Sequence, residues 1–268
     1  MTEQDGGASP RIAVVGAGIG GSALALALAE SGLACDVFEQ TRQLREVGAG
    51  VQLAPNAVRP LQRLGLADAL RSCAVRVAAR ETRGWNGRPV ARTPLGEQCE
   101  RRFGAPYYTV HRAHLHEALL ERAFGERSRL HLGRRLERID QHEDAAALVF
   151  TDGSVHRADL VVGADGIHSV VRRTLVRDEP VFSGLAVHRG LLPAERLSPW
   201  AHEAAVRLWL GPEGHLVCYP VAGGTLLSFA ATVRTAAAAG ESWSAPGDPA
   251  ELQERFGHWH EPAAEIAA

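Results

Sequence analysis

A short β-branched run, Arg11 to Val15 (RIAVV), stops abruptly at glycines. An Ala/Leu-rich stretch from Ser22 to Ser31 follows, and Gly32 closes it as a helix C-cap. Cys35 to Glu39 (CDVFE) returns to the strand pattern, so the chain opens on a βαβ unit. Apolar residues at 58, 61, 64 and 70 give helical spacing over Asn56 to Leu70, with Pro60 early in it. Arg76 to Arg92 predicts strands broken at the Asn86-Gly87 turn. His114 to Phe124 predicts a helix, and Arg129 to Leu132 a strand. Ala147 to Val155 predicts a hairpin turning at Asp152-Gly153, and Leu160 to Val162 a buried strand. From Val181 to Val233 the pattern is strand-rich, with runs at Val206–Leu210, His215–Val221 and Thr225–Ala231 between Gly/Pro turns. Glu251 to His260 predicts a final amphipathic helix. An α/β stretch, a β insertion, α/β again and then more β predicts two interleaved domains.

Composition narrows the picture. Hydrophobic residues are 46% and charged residues 22% of the 268, a globular balance. A formal net charge of -2 gives no electrostatic reason to expect nucleic acid or an anionic membrane as partner. No apolar run approaches the roughly 20 residues that span a bilayer. Residues 1–10 lack the basic-then-apolar layout of a signal peptide, so a cytoplasmic location is the expectation. Cys35, Cys73, Cys99 and Cys218 are scattered without a CxxC pair, which argues against zinc and against a disulfide frame. No lysine occurs, and all 29 basic residues are arginine. A Walker phosphate loop and a pyridoxal Schiff base both need lysine, so both are disfavoured.

Gly16-Ala17-Gly18-Ile19-Gly20-Gly21 fits GxGxxG through Gly16, Gly18 and Gly21. The first glycine permits a tight turn, the second lets a pyrophosphate approach the backbone, and the third lets helix and strand pack closely. The helix N-terminus would then receive the pyrophosphate on its free N–H groups. Glycines alone are a weak signal, but here a strand precedes them, a helix follows, and Glu39 ends the second strand 23 residues after Gly16. A carboxylate at that point can accept from both ribose hydroxyls and repels a 2′-phosphate, which favours FAD or NAD over NADP at this site. Further on, Ala158 to Arg172 reads ADLVVGADGIHSVVR. Asp165, at the end of its strand, can face a ribityl or ribose hydroxyl, and Arg172 a phosphate; an ordinary Asp-Gly turn is the structural alternative.

Asp165-Gly166 with Ser169 and Arg172 resembles the second signature of the class A flavoprotein monooxygenases, the family of p-hydroxybenzoate and salicylate hydroxylases. Three further segments are similar in order. Glu46 to Ala57 (EVGAGVQLAPNA) resembles the segment that runs beside the flavin. Tyr108 to Leu120 (YTVHRAHLHEALL) resembles the helix with an FAD-contacting arginine, which falls on Arg112. His215 to Val221 (HLVCYPV) resembles the strand that carries Tyr-Pro over the substrate pocket. Within the family the similarity is closest to the branch that hydroxylates salicylate or 3-hydroxybenzoate, where a His stands four residues before that Tyr, as His215 does before Tyr219. Positions four apart on a strand share a face. A base there would pull the phenolic proton and enrich the ring, a role suited to a histidine at neutral pH. A solvated turn residue after Gly214 is the alternative for His215. His188-Arg189-Gly190 stands where relatives often have aromatic-Arg-Gly, so His188 is a departure that bears on substrate preference. Tyr107 and Tyr108 are further pocket candidates, or core.

The resemblance implies an α/β fold: a Rossmann-like FAD-binding domain (1–72 and 105–176) interleaved with a mainly β substrate domain (73–104 and 177–245), then a C-terminal helix in 246–268. It implies FAD held by Gly16, Gly18, Gly21, Glu39, Arg112 and Asp165, with NADH or NADPH as co-substrate. It also implies hydroxylation of a small aromatic substrate with O2 through a flavin C4a-hydroperoxide, His215 and Tyr219 serving the substrate. The family's second Gly-Asp motif, of the GDAAH type, is not found, since Gly247-Asp248 follows no buried strand. Its absence predicts weak FAD retention by this chain alone. Two other functions fit the same frame: an oxygenase or epoxidase acting on a polyketide-like or terpenoid substrate, and a non-catalytic dinucleotide-binding remnant.

Overall fold

The computed structural model describes residues 9–44, 48–212, 214–235 and 246–268. Its elements begin with β1 (Ile12–Val15), α1 (Ile19–Glu30), β2 (Cys35–Glu39), β3 (Gly50–Leu53), α2 (Pro55–Arg63), α3 (Ala67–Cys73), β4 (Val75–Arg76), β5 (Ala79–Gly84) and β6 (Pro89–Pro94). Then come α4 (Glu97–Phe103), β7 (Tyr108–His111), α5 (Arg112–Ala123), β8 (Ser128–Leu132), β9 (Leu136–Gln141), β10 (Ala146–Phe150), β11 (Val155–Ala158), β12 (Leu160–Gly163) and α6 (Val170–Leu175). The remaining elements are β13 (Leu185–Pro193), β14 (Ala205–Leu210), β15 (Gly214–Val221), β16 (Leu226–Arg234), α7 (Pro249–Phe256) and α8 (Ala263–Ala267).

The chain divides into two compact units, residues 1–45 with 116–181 and residues 46–115 with 182–268. In the first, a parallel sheet runs in the order β12-β1-β2-β8. The βαβ expectation is met: Val15 at the end of β1 pairs with Phe38 on one side and Gly163 on the other. Parallel strands buried on both faces read as continuous apolar runs, which is why RIAVV is legible. One face carries Ala13, Val15 and Phe38 against Leu136, Leu148, Phe150 and Ala158 of the antiparallel set β11-β10-β9. Each large apolar side chain there contributes about 1.5–3 kcal/mol by leaving water.

The second unit is built on a six-stranded sheet, β13-β16-β15-β14-β5-β6, and a smaller one, β3-β7-β4. On one face of the large sheet Trp209, Leu216, Cys218, Phe229, Ala231 and Val233 pack against Leu252, Phe256, Trp259 and Ile266 from the α7–α8 region. Burial there pushes the Cys218 thiol up to about 12. The other face carries Val206, Tyr219 and Val221 with Val77, flanked by Tyr107, Leu191 and Val217.

Several expectations change. The helix expected over 56–70 is two helices, because Gly65 takes φ +77 and turns the chain between them. The segment from Tyr108 opens on a strand, β7, before α5 begins. The hairpin at 147–155 gains a third strand, β9. Residues 46–72 and 105–115, grouped by the sequence with the dinucleotide-binding part, cluster with the large sheet instead, and 177–181 with the parallel sheet. The start of the Glu46–Ala57 segment lies outside the described residues.

Candidate functional site

Two groups of side chains are the candidates for the chemistry, one in each unit. In the first unit the chain leaves β1 through Gly16, whose φ of +99 suits glycine. Its N–H donates to Phe38 O at 2.8 Å. A Cβ on Gly16 would lie 2.4 Å from Ala164 O, and one on Gly21 only 1.9 Å from Gly16 O. A Cβ on Gly18, the residue that caps α1, would meet nothing within 4 Å. The turn is thus closed on its protein side and open where the helix N-terminus begins, the arrangement that a pyrophosphate requires. Glu39 holds the turn from below: its carboxylate accepts from Ala17 N–H and from Thr41 N–H, both at 2.9 Å.

The Ala17 carbonyl is fixed by two residues that the sequence pattern does not mark as functional. Ser22 Oγ donates to it at 2.9 Å, and buried His116 places Nε2 2.6 Å away. An isolated Ser in an Ala/Leu helix is the available signal for the first; nothing in the sequence singles out His116 among the histidines of α5.

Asp165 follows β12, with its Cα 3.1 Å from the position a Gly16 Cβ would take. Its carboxylate accepts from Ser169 Oγ (2.5 Å), Val170 N (2.7 Å) and Val171 N (3.2 Å). Ser169 Oγ in turn accepts from Arg172 N at 2.8 Å, so Asp165 and Ser169 together cap α6. Arg172 is turned to Asp178, at 3.0 Å, and to the Ile167 carbonyl rather than left for a phosphate. Gly16, Gly18, Gly21, Glu39 and Asp165 therefore share the C-terminal ends of β1, β2 and β12. That is where an open parallel sheet takes a ligand: the chain order reverses between β1 and β12. Arg112 belongs to the second unit, at the first position of α5, where its N–H donates to Ala49 O at 2.8 Å.

In the second unit His215 and Tyr219 project from the same face of β15, beside Thr232 and Ser228 of β16. His215 Nε2 lies 3.2 Å from Thr232 Oγ1. The Tyr219 hydroxyl hydrogen-bonds with Ser228 and with Gln52, and Gln52 Oε1 accepts from Tyr107 at 2.8 Å. Ser228 Oγ also accepts from Gly50 N–H at 2.9 Å, tying β3 to this line. Burial pushes both tyrosine phenols up, opposed by the positive charge of Arg189 at Tyr219 and of Arg80 at Tyr107. Tyr108 is a core residue of β7.

His188 lies on the opposite face. It pairs with buried Ala231 and puts Nε2 3.4 Å from Glu251 of α7. Strand alternation gives the His215–Tyr219 face to Val187 and Arg189 instead. The departure at 188 therefore bears on how α7 packs. Gln52, Ser228 and Arg189 could not be found as partners beforehand, because a register between strands far apart in sequence is not written in either strand.

The chain is 49% identical to 3-amino-4-hydroxybenzoate 2-monooxygenase of Streptomyces cremeus over 94% of its length and 62% of the relative's. It is 35% identical to 3-hydroxybenzoate 6-hydroxylase of Polaromonas naphthalenivorans, over 91% of this chain and 62% of that one. The structure of Klebsiella pneumoniae HpxO complexed with FAD and uric acid superposes with a TM-score of 0.82 at 26% identity, covering 96% of this chain and 64% of that one. The chain thus spans somewhat under two-thirds of the length of these relatives. The FAD binding domain family matches residues 10–264, and this chain belongs to that family.

Proposed function

We propose that the protein acts as an FAD-dependent monooxygenase that consumes NADH or NADPH and O2 to hydroxylate a small phenolic ring. The observation that carries this reading is the pairing of His215 with Tyr219 on one face of β15, set in a chain whose parallel sheet ends in an open glycine turn. Bound FAD would supply the oxygen chemistry: two electrons from the nicotinamide reduce O2, one oxygen atom enters the ring and the other leaves as water. Gly16, Gly18 and Gly21 would admit the pyrophosphate, Glu39 the adenosine ribose, Asp165 the ribityl side, and Arg112 a further contact to FAD.

The protein's own residues then have distinct roles. His215 would take the phenolic proton, raising electron density at the ring carbon to be attacked. Tyr219, beside Ser228 and Gln52, is a phenol whose ordinary pKa already keeps it neutral at pH 7, and burial raises it further, so it can donate a hydrogen bond to the substrate oxygen. The substrates named for the two curated relatives, an aminohydroxybenzoate and a hydroxybenzoate, support a phenolic substrate over a terpenoid one.

The test is His215→Ala in FAD-loaded protein. Loss of a general base lowers phenol hydroxylation by about 10²–10⁴-fold while FAD binding, read from the flavin absorbance, is retained. Undiminished hydroxylation by the variant would remove His215 from the chemistry. A parent protein that takes up no flavin would leave the non-catalytic reading in its place.

A further inference from the structure

The peptide that joins Ala17 to Gly18 is held from its buried side. The hydrogen-bond ladder of α1 begins one residue after Ala17, with Ser22 N–H donating to Gly18 O at 2.9 Å. Among the described residues no backbone N–H donates to the Ala17 oxygen, and Ala17 is buried. A buried carbonyl left without a donor costs stability, so side chains have to serve it. Two do: Ser22 Oγ at 2.9 Å and His116 Nε2 at 2.6 Å, both from buried residues. Because a carbonyl oxygen only accepts, His116 carries a proton on Nε2.

The same peptide has a second end. A trans peptide is planar, with its C=O and N–H pointing opposite ways. With the Ala17 oxygen drawn into the core, Gly18 N–H points away from it, at the residue where an added Cβ meets nothing within 4 Å. Among the described residues that N–H donates to no group. The preceding peptide is committed to the protein: Ala17 N–H donates to Glu39 at 2.9 Å, and Gly16 O lies 1.9 Å from where a Gly21 Cβ would sit. Gly18 N–H is therefore left for an anion at the start of α1. Glycine also makes the arrangement reversible. Turning the Ala17–Gly18 peptide over would carry Gly18 φ from -66 to the positive side, which glycine enters without steric cost. The flipped peptide would present its carbonyl, the negative end of its dipole, where a pyrophosphate should go. Donors to the Ala17 oxygen oppose that flip.

We infer that His116, together with Ser22, is a positioning residue for FAD: by holding the Ala17 oxygen it keeps Gly18 N–H presented to the pyrophosphate. The inference rests on the reading that the glycine turn receives FAD, and it deepens that reading. A buried histidine of α5 thereby sets the affinity of a turn more than 90 residues earlier in the chain. A role in packing alone makes a different prediction. In a dry site leucine is the better filler and glutamine the worse, because glutamine brings polar atoms that need partners. For a donor the order reverses, since the glutamine amide can donate where Nε2 did.

The experiment titrates FAD calorimetrically into flavin-free parent, His116→Leu, His116→Gln and Ser22→Ala proteins, with each thermal midpoint recorded in the absence of FAD. His116→Leu should weaken FAD binding about 10- to 100-fold, the range for losing a hydrogen bond to a buried group. His116→Gln should recover most of the parent's affinity, even if its midpoint is the lower of the two. Ser22→Ala suits a helix and spares His116, so it should fold like the parent and weaken FAD by a smaller factor. Parent-like affinity in His116→Leu, or a His116→Gln protein that binds FAD no better than His116→Leu, overturns the inference and leaves the FAD reading standing. If the His116 variants fail to fold, Ser22→Ala decides: weakened FAD at an unchanged midpoint supports the inference, and unchanged affinity overturns it. A folded parent that binds no FAD overturns both the inference and the reading beneath it.

Discussion

A methyl group at Gly21 would sit 1.9 Å from the carbonyl oxygen of Gly16, whereas one at Gly18 would touch nothing within 4 Å. The two substitutions should therefore fail in different ways. Gly21→Ala should destabilise the protein by several kcal/mol, read as a fall in thermal midpoint, because strand and helix must separate to admit the methyl. Gly18→Ala should melt close to the parent and lose FAD affinity instead, since its methyl would occupy the open side of the turn; unchanged flavin binding would show that the pyrophosphate does not pass there. Three glycines, Glu39 and Asp165 were legible because each acts through its own backbone or at a strand end. Ser22 and His116 were not, since both serve a carbonyl whose orientation only the folded turn creates. The same holds for Gln52 and Ser228 around Tyr219.

Elements with an apolar run were legible in the sequence, β1, β2 and β12 among them, although β12 is an edge strand with Leu160 exposed rather than the buried strand expected. β9, by contrast, alternates polar residues through Leu136–Gln141, and α4 exposes most of its seven residues; neither period is strong enough to read. Where β2, β8 and β11 meet, Phe38 stacks on His131 at 4.8 Å and lies 4.8 Å from His156, while Asp36 bonds His131 at 2.6 Å. Burial lowers the pKa of His156, with help from the charges of His131 and Arg11 and against the pull of Asp36. The unfolded chain then binds the His156 proton more readily than the folded one. The stability it contributes is present above the ordinary value of 6.5 and is lost as pH falls through the lowered one. Thermal midpoints measured from about pH 7 down to about pH 5 should fall, and His156→Asn should flatten that slope; an unaltered slope would place the acid sensitivity elsewhere.

At the scale of the whole molecule, one face of the large sheet packs on α7 and α8 and the other carries His215 and Tyr219. Phe256 is 1% exposed against Trp209, Leu216 and Phe229, on the face away from Tyr219. Phe256→Ala should cost about 3–5 kcal/mol in denaturant unfolding. Flavin uptake per folded molecule should be preserved, and its collapse would show that the effect of the substitution is not confined to that face. The interleaving of the two units also has a consequence for the protein's birth. β1 is complete at Val15, yet its partner β12 spans Leu160–Gly163, and Arg11 is joined to Asp159 at the mouth of the same pair. At about 5–20 residues per second a ribosome needs about 7 to 30 s to travel that distance. Through that interval one edge of an apolar strand waits without the neighbour it was shaped for. The nascent chain should therefore be a client of chaperones that cover strand edges, and slowed translation between residues 40 and 160 should lower the yield of native protein.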